Sequence, residues 1–96
     1  MLFRSLDDPE ASRIAQEGAA AGKVLAAICI APITLANAGL LNGKRVTSNG
    51  IYDSTLTSKG AILACDDVVR DGLIITANGP WASQTFGETI AAALEE

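Results

Sequence analysis

The apolar segment at residues 24–28 constrains the fold of this chain more than any other part of its sequence. It contains no polar residue and shows no alternation of apolar and polar positions. That pattern is typical of a strand covered on both faces, as in parallel sheets flanked by helices. Ala31-Pro32 then suits the start of a helix, because proline has its φ preset and lacks an N–H that would be unpaired there. The sequence therefore predicts a strand that turns sharply into a helix at Cys29.

The predicted turn leaves two interpretations of Cys29 open. Backbone N–H groups and the positive end of a helix dipole converge at such a turn, an environment that favours a thiolate and can hold an anion. The same geometry of strand, turn and helix presents the nucleophile in nucleophile-elbow enzymes. Free cysteine is also among the residue types most often buried, where it behaves as a small hydrophobe. Spacing alone therefore allows either a reactive thiol or a core side chain.

The overall composition bounds the class of protein. Ninety-six residues make one domain at most, and 49% of them are apolar, which is enough for a core of Ala, Ile, Leu and Val. The net charge of −4 comes from scattered residues without a basic stripe, which argues against nucleic-acid binding. No apolar run is long enough to cross a membrane, and the first residues lack the apolar core of a signal peptide. We expect one cytoplasmic domain over residues 1–96, with neither nucleic acid nor membrane as a partner.

The chain contains no histidine. This removes the commonest general base and every Ser-His or Cys-His pair, unless another chain supplies one. The two cysteines, Cys29 and Cys65, are far apart in sequence and offer too few soft ligands for zinc. We therefore expect no metal and no cofactor, and we interpret Cys65 as structural.

Helices and strands alternate along the remaining sequence, which indicates a layered α/β fold with parallel pairing. The first predicted element is a helix opened by Asp8-Pro9-Glu10 and ended by Gly22, and the strand at 24–28 and a helix over 32–40 follow it. A strand over 44–49 and a helix over 54–63 come next. Two antiparallel strands within 66–77, joined at Asp71-Gly72, precede a last helix that begins at 78–80.

Two further groups of residues stand out by position. The apolar positions of the last helix predict core side chains, and they are Trp81, Phe86, Ile90, Ala93 and Leu94. Several polar residues lie near predicted strand ends, where α/β folds place ligands, although such residues more often form turns and caps. These are Ser48, Asn49, Thr76 and Asn78. None of the four is assigned to a site.

Two stretches of the chain resemble the ThiJ/PfpI family, which includes the parkinsonism-associated protein deglycase and the PfpI intracellular proteases. They read KVLAAICIAPITLANAGLLNGKRVTSN at 23–49 and DDVVRDGLIITANGPWASQTFGE at 66–88. The resemblance implies a flavodoxin-like three-layer α/β/α sandwich of the class I glutamine amidotransferase type. Only its C-terminal half, or a little more, is matched. The first strands and the glutamate that accompanies the family's cysteine belong to the other half.

The resemblance also implies site residues. It assigns Cys29 as the nucleophile or oxidation site, and the backbone N–H of Ile30 as a donor to an oxyanion or a sulfinate. Protease-like members carry histidine directly after the cysteine, where this chain has Ile30. Deglycase-like members carry a histidine near the position of Asn49. A histidine-based triad is therefore not implied.

Three functions follow as expectations. The first is thiol chemistry on small carbonyls, of the glyoxalase or deglycase type, or peptide hydrolysis if a partner completes the site. The second is redox sensing without turnover, and the third is a purely structural subunit. Without the family's first strand, residues 24–28 become an exposed edge open to pairing. We therefore expect a homo-oligomer or a complementing N-terminal half as the partner.

Overall fold

A computed structural model of the protein describes residues 9–28, 32–50 and 53–96. Its elements, in chain order, are α1 (Pro9–Ala20), β1 (Leu25–Ile28), α2 (Pro32–Asn37), β2 (Arg45–Val46), α3 (Asp53–Ser58), β3 (Ile62–Leu63), β4 (Val68–Asp71), β5 (Ile74–Ala77), a 3₁₀ turn (Pro80–Ala82) and α4 (Ser83–Leu94). The predicted alternation of helices and strands is confirmed.

The described strands form two small sheets. Three strands lie in the order β1-β5-β4, with β1 parallel to β5 and β4 antiparallel to β5. The parallel register runs from Leu25↔Ile74 to Ile28↔Ala77. The strands β2 and β3 pair in parallel as a second sheet. The predicted parallel pairing and the predicted antiparallel hairpin are therefore both present.

Both faces of β1 are covered, which explains why its sequence does not alternate. Leu25 and Ala27 belong to one apolar core, which they share with residues of α1 and α2. Val24 and Ala26 belong to a second core on the opposite face, formed with α4. Because side chains on a strand point alternately to its two faces, a strand between two cores needs an apolar residue at every position. The fold is therefore a helix–sheet–helix arrangement around β1 and β5.

Among the described strands, β1 pairs with β5 alone and so lies at the edge of its sheet. This edge position agrees with the prediction. The prediction that residues 24–28 are exposed at that edge is wrong. Val24 is only 8% exposed and Ala27 is fully buried. Helices α1 and α2 pack against β1, and α4 packs against its neighbour β5. Among the described strands β1 is an edge by topology, and its residues are buried except Ile28, which is half-buried.

Two predicted helices end earlier than expected. Helix α2 stops at Asn37, because Gly39 adopts φ = +77° and the N–H of Leu40 returns to the carbonyl of Leu35 at 3.1 Å. This is the Schellman pattern of helix termination. Helix α3 stops at Ser58 and is followed by Gly60 at φ = +89°. The range predicted as one helix over 54–63 thus contains a helix and the separate strand β3.

The hairpin is confirmed with its turn displaced by one residue. Asp71 is the last residue of β4 and pairs with Ile74, so the connection consists of Gly72 and Leu73. Gly72 has φ = +63°, a conformation that glycine adopts without a steric penalty. The prediction had placed the turn at Asp71-Gly72.

The last helix buries fewer apolar residues than predicted. Phe86 and Ala93 are buried, and Ile90 packs beside them. Trp81 is 70% exposed and Leu94 is 68% exposed, so the core prediction was wrong for these two. Trp81 lies in the 3₁₀ turn, whose three residues per turn do not continue the face of α4. Leu94 is one position beyond Ala93, and that step rotates it by about 100° away from the sheet.

Candidate functional site

The carboxyl ends of three strands meet at one edge of the fold. Ile28 and Ala77 are paired and end β1 and β5 together. Strand β2 lies against the hairpin of β4 and β5, because the N–H of Arg45 donates to Asp71 Oδ2 in β4 and the N–H of Thr47 donates to Thr76 Oγ1 in β5, each at 2.9 Å. Since Asp71 pairs with Ile74, the first residue of β5, β2 runs in the same direction as β5. We call this region the carboxyl edge. Open α/β sheets bind their ligands at such an edge.

The two residues assigned to chemistry from the sequence, Cys29 and Ile30, lie outside the described residues. Their flanks are described: β1 ends at Ile28 and α2 begins at Pro32. The chain thus passes from strand to helix across three residues, as predicted. Helix α2 has only six residues, so its dipole is weaker than that of the longer helix predicted over 32–40.

Two buried threonines tie the strands together beneath the carboxyl edge. Thr76 is fully buried and Thr47 is 3% exposed. The hydroxyl oxygen of Thr76 accepts the backbone N–H of Thr47, a group that burial would otherwise leave without a partner. Thr76, one of the polar residues at a predicted strand end, therefore serves the packing of β2 against β5.

Asn78 directly follows β5 and is held in place by Asp67. Its Nδ2 donates to Asp67 Oδ1 at 2.9 Å, and its backbone N–H donates to the carbonyl of Asp67 at 3.0 Å. Because Nδ2 is bound to a carboxylate, the amide orientation is fixed and Oδ1 must act as an acceptor. That Oδ1 is buried and has no hydrogen-bond partner among the residues that the structure describes. Buried acceptors nearly always have a donor, so this atom marks a place that a further group can fill.

Sequence reasoning missed Asp67, although a signal for it was available. The hairpin register pairs Val68 with Ala77, so the next pair outward is Asp67 with Asn78. A correctly placed turn would have predicted that contact.

The remaining polar candidates form a turn. Ser48 follows β2, and its hydroxyl donates to Asp53 Oδ1 at 3.0 Å, at the first residue of α3. Asn49 is exposed. These contacts are of the kind that turns and caps make, and they fix the start of α3 near the carboxyl edge.

Trp81 lies close to the same edge. Its indole ring covers Gly79, where an added Cβ would come within 2.3 Å of Cη2 of the ring. A residue with a side chain does not fit at position 79 unless the Trp81 ring moves, even though most of that ring faces solvent.

Cys65 is a free and exposed thiol. Its interpretation as a packed structural residue was therefore wrong. It lies two residues after β3, a strand of only two residues whose Ile62 is itself exposed. A short strand with few buried neighbours cannot cover the residues that follow it.

The described residues offer neither a cluster of metal ligands nor a membrane-spanning helix. In the part of the chain that the structure describes, no group of three or more His, Cys, Asp or Glu residues could hold a metal ion. Within that same part, every helix is too short or too polar to cross a membrane.

Comparisons with known proteins agree with this architecture. The model of the DJ-1/PfpI family matches residues 4–93. Isonitrile hydratase of Pseudomonas putida is 35% identical over 90% of this chain, which spans 38% of that protein. Protein dj-1beta of Drosophila melanogaster is 37% identical over 73% of the chain, which spans 37% of its length. A crystal structure of a ThiJ/PfpI domain protein from Brachyspira murdochii superposes with a TM-score of 0.90 at 29% identity, over 94% of this chain and 52% of that one. The fold is thus a partial flavodoxin-like α/β sandwich.

Proposed function

Because the chain belongs to the DJ-1/PfpI family, we propose that Cys29 is the nucleophile of a thiol-dependent site at the carboxyl edge, acting on small carbonyl compounds. The observation that supports this most is the register Ile28↔Ala77. Cys29 is the next residue after one member of that pair, and Asn78 is the next after the other. A thiol and a buried acceptor that has no partner in the described part of the chain therefore follow two neighbouring parallel strands.

In this proposal the Cys29 thiolate attacks the carbonyl carbon. A sulfur–carbon bond forms, and the π electrons of the C=O bond move onto oxygen. The backbone N–H of Ile30 donates to that oxyanion. Asn78 Oδ1, for which the described residues supply no donor, accepts a hydrogen bond from a hydroxyl or N–H of the substrate, an interaction that rejects substrates lacking such a donor.

The chain spans less than two fifths of the two curated relatives described above. We propose that the rest of the site, including the acid that moves the proton, comes from outside residues 1–96. It is supplied by a second copy or by a complementing N-terminal half that pairs with β1. Sedimentation velocity on the chain would show an assembly, and a well-folded monomer at micromolar concentration would contradict the homo-oligomer. A cytoplasmic location, where thiols stay reduced, is part of the proposal.

The likeness to isonitrile hydratase favours a second candidate reaction. Hydration of an isonitrile adds one water to the terminal carbon and gives the N-substituted formamide. The Cys29 thiolate would attack that carbon while the same carbon takes a proton, which gives a thioimidate. Water would then add across the C=N bond, and cleavage of the C–S bond would release the formamide and regenerate Cys29. The two reactions differ in substrate, and they are separated by assaying both methylglyoxal and an alkyl isonitrile.

The alternative to catalysis is redox sensing or a structural role. A thiol at a strand-to-helix turn oxidises to sulfenate and then sulfinate when it is accessible and ionised. Mass spectrometry after mild peroxide treatment distinguishes this case, because sensing predicts oxygen on Cys29 in preference to the exposed Cys65. Equal oxidation of both cysteines would argue against a sensor.

The decisive test compares Cys29→Ser with Cys65→Ser. The second variant is a matched control because Cys65 is a free, exposed thiol to which the proposal gives no role. We expect Cys29→Ser to abolish turnover of the active substrate, and Cys65→Ser to retain it. Turnover that survives Cys29→Ser would refute the proposed nucleophile.

A further inference from the structure

A second concave site lies at the opposite edge of the sheet, where β1 and β5 begin. It is a cleft of about 390 Å³, within the usual size range of small-molecule sites. Apolar side chains line much of it, contributed by Leu25, Leu40, Leu73 and Ile74. We call it the amino-edge cleft. Its floor is fixed, because the N–H of Leu25 donates to the carbonyl of Leu73 at 2.8 Å.

Three charged residues also line the cleft: Lys23, Lys44 and Asp71. One carboxylate oxygen of Asp71 already accepts the N–H of Arg45 at 2.9 Å. Neither lysine forms an ion pair among the residues that the structure describes, where the salt bridges involve Arg13 and Arg70. The cleft therefore combines an apolar floor with a net charge of one positive unit.

We propose that the amino-edge cleft binds a small amphipathic anion, a carboxylate with a short apolar chain. The chain would lie on the leucine and isoleucine side chains, and the carboxylate would meet the ammonium groups of Lys23 and Lys44. An uncharged apolar occupant would desolvate the lysines without compensation, which costs free energy. A cationic occupant would be repelled, because the lining residues include two lysines and only one carboxylate, that of Asp71. The charge pattern thus selects an anion.

The site does not depend on the chemistry proposed for Cys29. The cleft is lined at Leu25 and Ile74, the first residues of β1 and β5, whereas Cys29 follows the last residue of β1. Binding at the amino edge would consequently persist in Cys29→Ser. Loss of ligand binding at the amino-edge cleft would count against the present proposal alone, whereas unchanged turnover in Cys29→Ser would count against the proposed function alone.

The test is a titration of the isotope-labelled chain with octanoate, followed by amide chemical shifts. We expect shifts centred on the residues of the cleft, and little response to 1-octanol or octylamine at the same concentrations. Lys23→Gln and Lys44→Gln should each weaken octanoate binding by about 1.5- to fivefold, the range of an exposed charge pair. Lys59→Gln is the matched control, since Lys59 is an exposed lysine outside the cleft.

Three outcomes would overturn the proposal. The first is the absence of shifts at the cleft at millimolar octanoate. The second is equal binding of 1-octanol, which would show that the lysines do not select the ligand. The third is a loss of affinity in Lys59→Gln as large as that in Lys44→Gln, which would indicate attraction by the overall charge alone.

Discussion

The two edges of the β1–β5 sheet differ in chemistry although the same two strands run between them. At the carboxyl edge, polar side chains form specific hydrogen bonds: Thr76 accepts the backbone N–H of Thr47, and Asp67 accepts from Asn78, whose Oδ1 has no partner among the described residues. At the amino edge, leucine and isoleucine side chains line a cleft together with two lysines that form no ion pair among the described residues. Strand β5 is buried along its whole length, and β1 is buried except at Ile28, which is half-buried. The difference therefore arises in the residues just beyond the strands and in the loops that meet them there.

The largest expected effect is on the amino edge, with Leu25→Ala. Leu25 is 1% exposed, and it lies both in the core and on the floor of the cleft. Removal of its buried methyl groups should lower the free energy of unfolding by about 2–5 kcal/mol, measured by urea denaturation.

Leu94→Ala is the control for that change, because the same side chain is removed from an exposed position. It should alter stability by less than about 0.5 kcal/mol. Equal losses in both variants would mean that Leu25 is not the buried residue described above.

A smaller effect is expected at the carboxyl edge, with Thr76→Val. Valine keeps the shape but removes the oxygen that accepts the Thr47 N–H, and this leaves a buried donor unpaired. The free energy of unfolding should fall by about 1–3 kcal/mol in the same urea experiment.

Thr57→Val provides the comparison at the surface, where the Thr57 hydroxyl donates only to carbonyls of its own helix region. Its effect should stay within about 0.5 kcal/mol, as for most surface changes. If Thr76→Val changes the free energy of unfolding as little as Thr57→Val does, the hydrogen bond between Thr47 and Thr76 does not stabilise the carboxyl edge.

The smallest effect concerns the ion pair beside the hairpin turn at the amino edge. Arg70 donates to the carbonyl of Gly72 at 2.9 Å and to both carboxylate oxygens of Glu96 at 2.5 Å. The hydrogen bond from Arg70 holds the pKa of Glu96 below its usual value. The Glu96 carboxylate therefore binds a proton more readily in the unfolded chain than in the folded one. The ion pair stabilises the fold above the usual glutamate pKa, and this stabilisation is lost as the pH falls through the pKa of Glu96 in the folded chain.

Thermal unfolding of Glu96→Gln tests this expectation. The variant should melt slightly below the parent chain at neutral pH, and the difference should vanish in strong acid, where both carry a neutral side chain. Glu88→Gln, at another exposed glutamate, is the control and should show no such trend. A difference that persists in acid would contradict the ionic origin of the effect.

Features encoded in short segments could be predicted from the sequence. The unbroken apolar run at residues 24–28 indicated a strand with two covered faces, and Leu25 and Ala26 do lie in different cores. Asp71-Gly72 located the hairpin to within one residue. Ser48, Thr76 and Asn78 were placed near strand ends, and each makes a local or bridging hydrogen bond there.

Features that depend on distant contacts could not be predicted in the same way. Trp81 was placed in the core because a helical spacing was extended into a 3₁₀ turn, where it does not hold. The amino-edge cleft is lined by residues from Ala19 to Ile74, and no local pattern links them. The bond between Thr47 and Thr76 joins strands that are far apart in the chain. Such contacts are set by how the elements pack.

The pairing of β1 with β5 has a consequence for the order in which the protein folds. Leu25 and its partner Ile74 are separated by about fifty residues, whereas β4 and β5 are joined by a two-residue turn. Local hairpins close in microseconds, and distant strands pair more slowly because a long loop must first be closed. Synthesis proceeds at about 5–20 residues per second, so the ribosome needs some seconds to make β5 after it has made β1. During that time the apolar strand that leads to Cys29 has no strand partner. The segment that carries the proposed nucleophile is thus expected to pair later than the hairpin of β4 and β5, and its apolar residues lack their strand partner during that interval.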